Sequence, residues 1–413
     1  MSILKEVQLQ DLKTYFPIFK NNHDMIFLDS AASAMKPSCV IDGIKNFYEN
    51  NYSNIHRGTY KTSEVSGEMV DAARYTIARF INAHSDNEII FTRGCTDSIN
   101  KIALLLSHNN LIKSTSNVYI TDVDHHSNIL PWRYIARKMS ANLYKIPFNV
   151  DMTIDVERLQ KMFALNKPDI VSFSALSNVT GIIQNVENIT KIAHDYGAVV
   201  ILDCAQSIVH LKHDVQKINC DFMAFSMHKL YGPNGVGVLY GCEQLLNNLY
   251  PIEFGGDMVD SVSIDDFAIS KSPEKFEPGT INIADIIGSK FAIDFINSIG
   301  FDYIKSHDAE LVKYSFEKLK ELKAINFIGD FNNSINRSGL ISFYFDNISS
   351  FDIGIMLGQK NICVRTGFHC AEPLHNLYCS GNQSIRISFG IYNNKNDIDI
   401  FIDNLKNILR ILS

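Results

Sequence analysis

The stretch that decides the fold spans residues 198–241 and reads AVVILDCAQSIVHLKHDVQKINCDFMAFSMHKLYGPNGVGVLYG. It contains three short apolar runs, AVVIL, DFMAF and GVGVLYG, and the first two lead directly into polar residues. Asp203 follows the first run, and Lys229 follows the second. Runs that are apolar throughout are typical of strands that are buried on both faces of a parallel sheet. The stretch therefore predicts an α/β fold built on a mostly parallel sheet.

The same pattern of apolar run and polar end occurs three more times upstream. The runs are NEIIFTRG (87–94), NVYITDVD (117–124) and DIVSFSAL (169–176). They lead into the polar sets Arg93-Gly94-Cys95-Thr96, Asp124-His125-His126 and Ser177-Asn178. In open α/β sheets, ligands bind at the carboxyl ends of the strands. Five polar sets at that edge therefore predict one shared site.

The pattern changes after residue 250, which predicts a second and smaller domain. Residues 251–282 are rich in Gly, Ser, Pro and charge, as in a long functional loop or a domain junction. A helical stretch at 284–298 and the runs SGLISFYF (338–345), ICVRTG (362–367) and SIRISFG (384–390) follow. Ile398, Ile402, Leu405, Leu409 and Leu412 then lie at helical spacing. This pattern predicts a smaller α+β domain at the C-terminus.

Composition and charge exclude several classes of function. The chain has 413 residues, with 38 Lys+Arg against 45 Asp+Glu and a formal charge of −7, and it has no long basic run, so no nucleic-acid partner is expected. No apolar stretch approaches the length of a membrane span, and the N-terminus does not resemble a signal peptide, so we expect a cytoplasmic protein without a membrane partner. The eight cysteines contain no CxxC pair, and neither disulfides nor a metal site is expected.

Asp203 and Lys229, at the ends of successive strands, suit a pyridoxal-phosphate site. A lysine that forms an imine with the cofactor aldehyde must be neutral when it attacks, and a desolvated setting favours the neutral amine. An aspartate that faces the ring nitrogen keeps this nitrogen protonated and makes the ring a better electron sink. The alternative for an isolated lysine is a solvated surface cation, but the flanking apolar strands and the paired aspartate argue against it.

Two further strings fit the same site. Gly94-Cys95-Thr96 opens a helical stretch whose free N–H groups suit a phosphate, although Thr96 or its neighbour could simply cap the helix. His125 and His126 are adjacent and point to opposite sides in an extended chain, so only one of them can face a ring. A zinc site at this pair lacks a third ligand at a usual spacing.

Strings in the same order along nearly the whole chain resemble a known family. The chain resembles cysteine desulfurases with the class V aminotransferase fold, of group II or Suf-pathway type, which also show selenocysteine lyase activity. The strings are FLDSAASAMKPS (27–38), HRGTYKTSE (56–64), RGCTDSIN (93–100), DHHSNILPW (124–132), SNVTG (177–181), LDCAQ (202–206), FSMHKLYGPNGVG (225–237), FEPGTIN (276–282) and RTGFHCAEPLH (365–375). The resemblance implies a fold-type-I pyridoxal 5'-phosphate enzyme with a seven-stranded sheet in its large domain. It also implies a homodimer, with an N-terminal segment (1–20) packing on the small domain, a large cofactor-binding domain (21–282) and a small domain (283–413) that carries the catalytic cysteine loop.

The resemblance also implies how the cofactor is held. Lys229 is the cofactor lysine and the shuttle for the α-proton, Asp203 is the partner of the ring nitrogen, and His125 stacks on the ring. The remaining implied cofactor contacts are Gln206 to the ring hydroxyl, Asn178 beside the cofactor and substrate, and Thr96, Ser226, His228 and, from a second subunit, Thr280 to the phosphate. Cys95 stands at a position where the family has threonine, so its side-chain contact with the phosphate is expected to be weaker or lost, although a neighbouring backbone N–H could serve.

For the substrate, the resemblance implies that Asn178 and Arg386 hold the α-carboxylate. Arg365 would make a second carboxylate contact or a positioning contact. From the strand pattern alone, Arg386 would point outward into solvent. Cys370 lies in a loop between Gly, His and Pro residues, as a reactive thiol should, and is the implied nucleophile. His369 is a candidate to favour its thiolate, whereas Phe368 replaces a common family histidine and offers no proton transfer.

These expectations combine into one function. The chain should convert L-cysteine to L-alanine and leave a persulfide on Cys370, which passes its sulfur to an acceptor protein for iron–sulfur cluster assembly. The alternatives are a lyase for L-selenocysteine, another pyridoxal enzyme for a small amino acid, and a scaffold that holds the cofactor without turnover.

Overall fold

A computed structural model describes residues 9–55, 58–329 and 337–412. His56 and Arg57, which open the string HRGTYKTSE, and residues 1–8 of the expected N-terminal segment lie outside the described residues. The strands are β1 (Ile26–Phe27), β2 (Ile89–Thr92), β3 (Asn117–Ile120), β4 (Asn142–Lys145), β5 (Ile170–Ser174), β6 (Val199–Asp203), β7 (Phe222–Ser226), β8 (Gly237–Gly241), β9 (Val259–Val262), β10 (Phe267–Ile269), β11 (Ile325–Phe327), β12 (Leu340–Phe345), β13 (Ile362–Cys363), β14 (Arg365–Gly367) and β15 (Ser384–Ser388).

Helices separate most of these strands. The α-helices are α1 (Pro17–Asn21), α2 (Ser38–Asn50), α3 (Lys61–Phe80), α4 (Cys95–His108), α5 (Leu130–Met139), α6 (Val156–Leu165), α7 (Val186–Asp195), α8 (Ser207–His210), α9 (Val215–Ile218), α10 (Glu243–Asn248), α11 (Ile283–Ile299), α12 (Phe301–Leu319), α13 (Ser350–Gly358), α14 (Glu372–Tyr378) and α15 (Lys395–Leu412). Short 3-10 turns lie at Leu9–Tyr15, Asp86–Glu88, His126–Asn128, Met227–Lys229 and Glu274–Phe276. Among the described residues, no helix is both long and apolar enough to cross a membrane.

Seven strands form the central sheet in the order β2-β8-β7-β6-β5-β3-β4. Its strands run parallel except for β8, which is antiparallel to both β2 and β7. The predicted mostly parallel, seven-stranded sheet is therefore confirmed. The runs of the sequence identify six of the seven strands. The seventh, β4, is an edge strand of sequence NLYK with largely exposed side chains, so it carries no apolar run to reveal it.

Both faces of the sheet are covered, because alternate residues of each strand enter different apolar cores. In β6, Val200 and Leu202 pack in the core that contains α2, α3 and α11. Ile201, between them, packs in the core that contains α4 and α5. This burial on both faces explains why the strands are apolar throughout.

A smaller antiparallel sheet, in the order β11-β12-β15-β14, forms the second unit of the fold. Its core is shared with helices α12, α13 and α15. The region 251–282, expected to be irregular, contains the hairpin of β9 and β10, which is mostly exposed. Helix α11 packs against α2 and α3 in the core of the large sheet. The expected domain boundary between residues 282 and 283 would assign this helix to the small domain instead. That boundary stays a prediction.

The described part of the N-terminal segment contacts residues near the C-terminus. The ring of Phe16 lies 4.9 Å from the ring of Tyr392 and 5.8 Å from that of Phe295. Lys13 Nζ donates to Asp397 Oδ1 over 3.2 Å. These contacts hold the segment against residues beyond position 283.

A buried ion pair joins α3 to the segment before α11. Arg74 donates from Nη1 and Nη2 to the two carboxylate oxygens of Glu277, each over 2.8 Å, and Phe91 N also donates to this carboxylate. Replacing one partner leaves a buried charge without its counter-ion, so we expect Glu277→Gln to lower the free energy of unfolding by about 3 kcal/mol. Denaturant unfolding measures this loss. Glu187→Gln is the control, because its pair with Lys217 is exposed, and equal losses in the two variants would contradict the expectation.

Candidate active site

A cavity of about 290 Å³ lies where the carboxyl ends of β5, β6 and β7 meet the start of α4 and the loop after β14. Its lining residues are Ala31, Ala32, Cys95, Thr96, His125, Ser127, Ser174, Leu176, Asn178, Asp203, Ala205, Gln206, Ser226, His228, Lys229, Arg365, His369, Cys370 and Arg386. Every site residue expected from the sequence is in this set except Thr280. Thr280 is exposed and away from the cavity of its own chain, so its expected role in a second subunit stays a prediction.

Lys229 ends the short turn that follows β7. The carbonyl oxygen of the preceding residue, His228, accepts hydrogen bonds from Ala34 N over 3.0 Å and from Lys36 Nζ over 2.9 Å, which fixes the turn. Burial lowers the pKa of Lys229, while the negative charge of Asp203 partly opposes this effect. A larger fraction of the amine is therefore neutral, as attack on an aldehyde requires.

Asp203 is the last residue of β6 and is buried. Its Oδ1 accepts a hydrogen bond from Ala205 N over 2.9 Å, and the thiol sulfur of Cys95 lies 3.4 Å from the same oxygen. Burial raises the pKa of Asp203, whereas the bond from Ala205 and the charge of Lys229 lower it. A buried carboxylate in this setting needs a cationic partner. A protonated ring nitrogen would be such a partner.

The adjacent residues His125 and His126 make different contacts. His125 lines the cavity, and its Nδ1 accepts from Ser127 N over 3.1 Å, so the neutral ring carries its hydrogen on Nε2. Burial and the nearby Lys229 lower the pKa of His125 to about 4, which keeps the ring neutral. His126 instead donates from its backbone N to Cys370 O over 2.7 Å, and its Nε2 accepts from Glu372 N. The sequence expectation that only one of the pair lines the site agrees with this arrangement.

Helix α4 presents its N-terminus to the cavity. Gly94 is the residue before the helix and no side chain caps it, so the alternative that Thr96 caps this helix is wrong. A Cβ atom on Gly237 would lie 2.4 Å from the backbone of Gly94, so β8 and the helix start approach each other more closely than a side chain permits. Cys95 N donates to Ser226 Oγ over 2.7 Å. Beside them, burial and Lys229 lower the pKa of His228 to about 4.

Two arginines from neighbouring strands of the small sheet reach the opposite side of the cavity. Arg365 in β14 and Arg386 in β15 are paired in register. Arg386 is 3% exposed and donates from Nη1 to Asn178 O over 2.9 Å. The interpretation of Arg386 as an outward, solvent-facing side chain is therefore wrong, because the small sheet turns this residue toward the large domain.

Asp29 does not line the cavity, but it contacts both arginines that do, and sequence reasoning missed it. Its carboxylate accepts from Nε and Nη2 of Arg365, the latter over 2.8 Å, and Nη2 of Arg386 lies 3.4 Å away. The residue stands in the quoted string FLDSAASAMKPS, where it is the one acidic side chain. That isolated charge between apolar and small residues was a signal, but the arginines that it contacts are more than 300 positions away.

Cys370 is the one exposed thiol of the eight cysteines, all of which are described. It and His369 both have positive φ angles, 56° and 50°. The large domain holds both of their carbonyl oxygens, since Asn178 Nδ2 donates to His369 O over 2.8 Å and His126 N donates to Cys370 O. The exposed thiol therefore sits on a clamped loop at the cavity.

His369 does not supply a positive charge to this thiol. Its Nε2 is 2.8 Å from Ser384 Oγ, which is in turn 2.9 Å from Nε2 of His375. Burial, followed by the charge of Arg386, lowers the pKa of His369 well below its usual value, so the ring is neutral. The expectation that His369 favours the thiolate is wrong for this reason. Phe368 packs its ring 5.5 Å from that of His375 and offers no proton.

The chain is similar over most of its length to proteins of a known family. The family model described as aminotransferase class-V matches residues 26–401. The chain belongs to the aminotransferase class-V family. A relative from Halalkalibacterium halodurans, named a probable cysteine desulfurase, is 40% identical over 96% of this chain and 97% of its own length. A relative from Serratia proteamaculans, named a cysteine desulfurase, is 35% identical over 98% and 99% of the two chains.

Solved structures agree with these relatives. A cysteine desulfurase from Escherichia coli superposes with a TM-score of 0.90 at 31% identity, covering 99% of this chain and all of its own. A cysteine desulfurase from Thermococcus onnurineus gives a TM-score of 0.92, also at 31% identity, over the whole of both chains. The resemblance seen in the sequence is thereby confirmed.

The cofactor of the family is pyridoxal 5'-phosphate, and it is the cofactor of this chain. The cavity residues fit it. Lys229 supplies an amine of lowered pKa, and Asp203 supplies a buried carboxylate whose charge is opposed, within the part of the chain that the structure describes, by this lysine. The start of α4 supplies a helix N-terminus whose N-cap residue, Gly94, has no capping side chain, and such an N-terminus suits a phosphate.

Proposed function

We propose that this chain is a cysteine desulfurase, which converts L-cysteine to L-alanine and leaves a persulfide on Cys370. The observation that carries the proposal is the exposed Cys370 thiol, clamped at a cavity that also contains Lys229 and Arg386. The names of the relatives and of the solved structures support the same reaction.

The proposed cofactor contacts are those that the resemblance implies, and all of them except Thr280 line the cavity. Lys229 would hold the cofactor covalently, Asp203 would pair with its ring nitrogen, and the neutral ring of His125 would contact its ring. When bound, the cofactor withdraws electron density from the α-carbon of the amino acid. The remaining contacts are Gln206 at the ring hydroxyl and Thr96, Ser226, His228 and the partner subunit's Thr280 at the phosphate, with Cys95 beside them.

The substrate carboxylate binds at Arg386 and Asn178. The guanidinium of Arg386 is buried, and burial lowers its pKa to about 10, so an anion at this position gains a desolvated positive partner. Arg365 acts as a positioning contact, because Asp29 already fills its carboxylate-binding face. Asp29 is 3.4 Å from Nη2 of Arg386 but 2.8 Å from Nη2 of Arg365, so Arg386 is the guanidinium that is less tightly paired and can accept the single carboxylate of the substrate.

The sulfur atom of the substrate is then transferred to Cys370. The Cys370 thiolate attacks the sulfur of the substrate, so an S–S bond forms as the C–S bond breaks, and the electron pair of the broken bond stays on the carbon side. Lys229, which removed the α-proton, is placed to return a proton, and alanine leaves. The sum is cysteine plus thiol giving alanine plus persulfide. The persulfide passes to an acceptor protein, and we propose a cytoplasmic homodimer that serves iron–sulfur cluster assembly.

A direct assay tests the reaction. Purified protein loaded with cofactor should release alanine and, in the presence of a reductant, sulfide in equal amounts from L-cysteine. A yellow protein that gives no alanine, with or without a carrier protein and reductant, would instead support the alternative of a scaffold without turnover.

Arg386 should control the affinity for the substrate. Removing a charge-assisted contact to the carboxylate should raise the KM for L-cysteine by about 10- to 100-fold in Arg386→Ala. Arg386→Lys should recover only part of this affinity, since an ammonium group lacks the fork of the guanidinium. Steady-state kinetics measures both. Arg410→Ala, on the exposed end of α15, is the control, and an unchanged KM in Arg386→Ala would contradict the assignment.

A further inference from the structure

The side chain of Cys95 lies against the cofactor's expected aspartate. Its sulfur is 3.4 Å from Asp203 Oδ1, and both residues are 4% exposed. The resemblance places residue 95 at the phosphate, yet here the thiol contacts the carboxylate expected at the ring nitrogen. The position at which this chain has cysteine instead of the family threonine is therefore also the position that contacts Asp203.

The backbone fixes this thiol in place. Cys95 is the first residue of α4, and its N–H donates to Ser226 Oγ, the last residue of β7. On the other side, Gly94 and Gly237 bring the helix start against β8. The start of α4 is thus held by two neighbouring strands of the sheet, β7 and β8. The backbone therefore fixes the position from which Cys95 contacts Asp203.

The thiol is the donor in this contact. Burial, and then the negative charge of Asp203, raise the pKa of Cys95 well above its usual value, so the sulfur keeps its hydrogen. The groups that face Asp203 are Lys229, Cys95 and the buried carboxyl of Asp124, with Cys204 next in sequence. Burial and the charge of Asp203 raise the pKa of Asp124 to about 7, so Asp124 ionises less readily than an ordinary carboxyl group.

We propose that Cys95 is a positioning residue that stabilises Asp203 as an anion and directs it toward the cofactor ring. The S–H of Cys95 and the N–H of Ala205 both bind Oδ1, which leaves Oδ2 for the ring nitrogen. The proposal rests on the role of Asp203 under the proposed function. It does not depend on the sulfur chemistry at Cys370.

The proposal has a spectroscopic consequence that requires no substrate. A stable Asp203 anion keeps the ring nitrogen protonated, and a protonated ring lowers the pH at which the absorbance of the Lys229-linked cofactor titrates. Removing the S–H donor should therefore raise that midpoint. We expect an upward shift of about 0.5 to 1 unit in Cys95→Ala, the size of one net hydrogen bond.

Three further variants make the titration decisive. Cys95→Ser keeps a donor and should stay close to the wild-type midpoint. Cys220→Ala removes another buried thiol of the same domain, remote from the cavity lining, and should not move it. Asp203→Asn should shift the midpoint at least as far as Cys95→Ala does, or fail to retain cofactor. The dissociation constant of the cofactor is measured alongside in each variant.

The outcomes separate the two proposals. An unmoved midpoint in Cys95→Ala overturns the inference. Weaker cofactor binding in Cys95→Ala without a shift also overturns it, since a phosphate contact would behave in this way. If Asp203→Asn shifts the midpoint and Cys95→Ala does not, only the role of Cys95 fails. If neither shifts it, the role of Asp203 under the proposed function fails as well.

Discussion

Replacing Cys370 by alanine should abolish the formation of alanine and persulfide from L-cysteine, with kcat lowered by ~10³-fold or more, as expected when a nucleophile is removed. The physical reason is that the sulfur of the substrate needs an electron pair from an exposed thiolate, and the other seven cysteines are buried or partly buried. Cofactor binding should be unchanged, because Cys370 is on the loop that closes the cavity and Lys229 carries the cofactor. Alanine release, persulfide labelling and the cofactor absorbance measure the three quantities.

Cys379→Ala is the matched control for this loss. Cys379 follows α14, close to the same loop in sequence, but it is buried, and burial raises its pKa to about 11. It should retain wild-type turnover. L-Selenocysteine provides a second arm of the experiment. If Cys370→Ala still releases selenium from L-selenocysteine but forms no alanine from L-cysteine, the selenocysteine alternative is favoured. Alanine formed from L-cysteine at the wild-type rate by Cys370→Ala would refute the persulfide route.

The sequence predicted the large sheet and the location of the site for a common physical reason. Strands buried on both faces must be apolar throughout, and their polar ends must face solvent or a ligand. Asp203 and Lys229 could be assigned to one site from sequence alone because parallel strands bring their carboxyl ends to one edge. β4 could not be found, because an exposed edge strand is under no such constraint.

Residues whose surroundings come from distant parts of the chain could not be predicted from the local sequence pattern alone. The direction of Arg386 depends on how the small sheet meets the large domain, which alternation within β15 does not reveal. His369 is next to Cys370 in sequence and is of a residue type that can favour a thiolate. In the structure, however, its ring contacts Ser384 and is buried, and burial keeps it neutral. Asp29 was visible as a charge, yet its role required Arg365, which a strand of the small sheet supplies.

Replacing Lys229 by alanine should remove covalent attachment of the cofactor and lower turnover by ~10³-fold or more. Lys229 is the buried amine that lines the cavity, and its lowered pKa suits it to imine formation. The variant should fold, since the turn that carries residue 229 is fixed by bonds to the carbonyl of His228. Loss of the yellow colour after gel filtration, with an unchanged circular dichroism spectrum, is the expected result.

A second lysine makes this prediction sharper. Lys36 lies beside the same turn, and burial lowers its pKa to about 8, so it also has a reactive amine. Its Nζ, however, donates to the carbonyls of Ala34 and His228, and it does not line the cavity. Borohydride reduction of the wild-type protein followed by peptide mapping should therefore place the cofactor on Lys229. Attachment at Lys36, or a variant Lys229→Ala that stays yellow, would show that basicity rather than position selects the lysine.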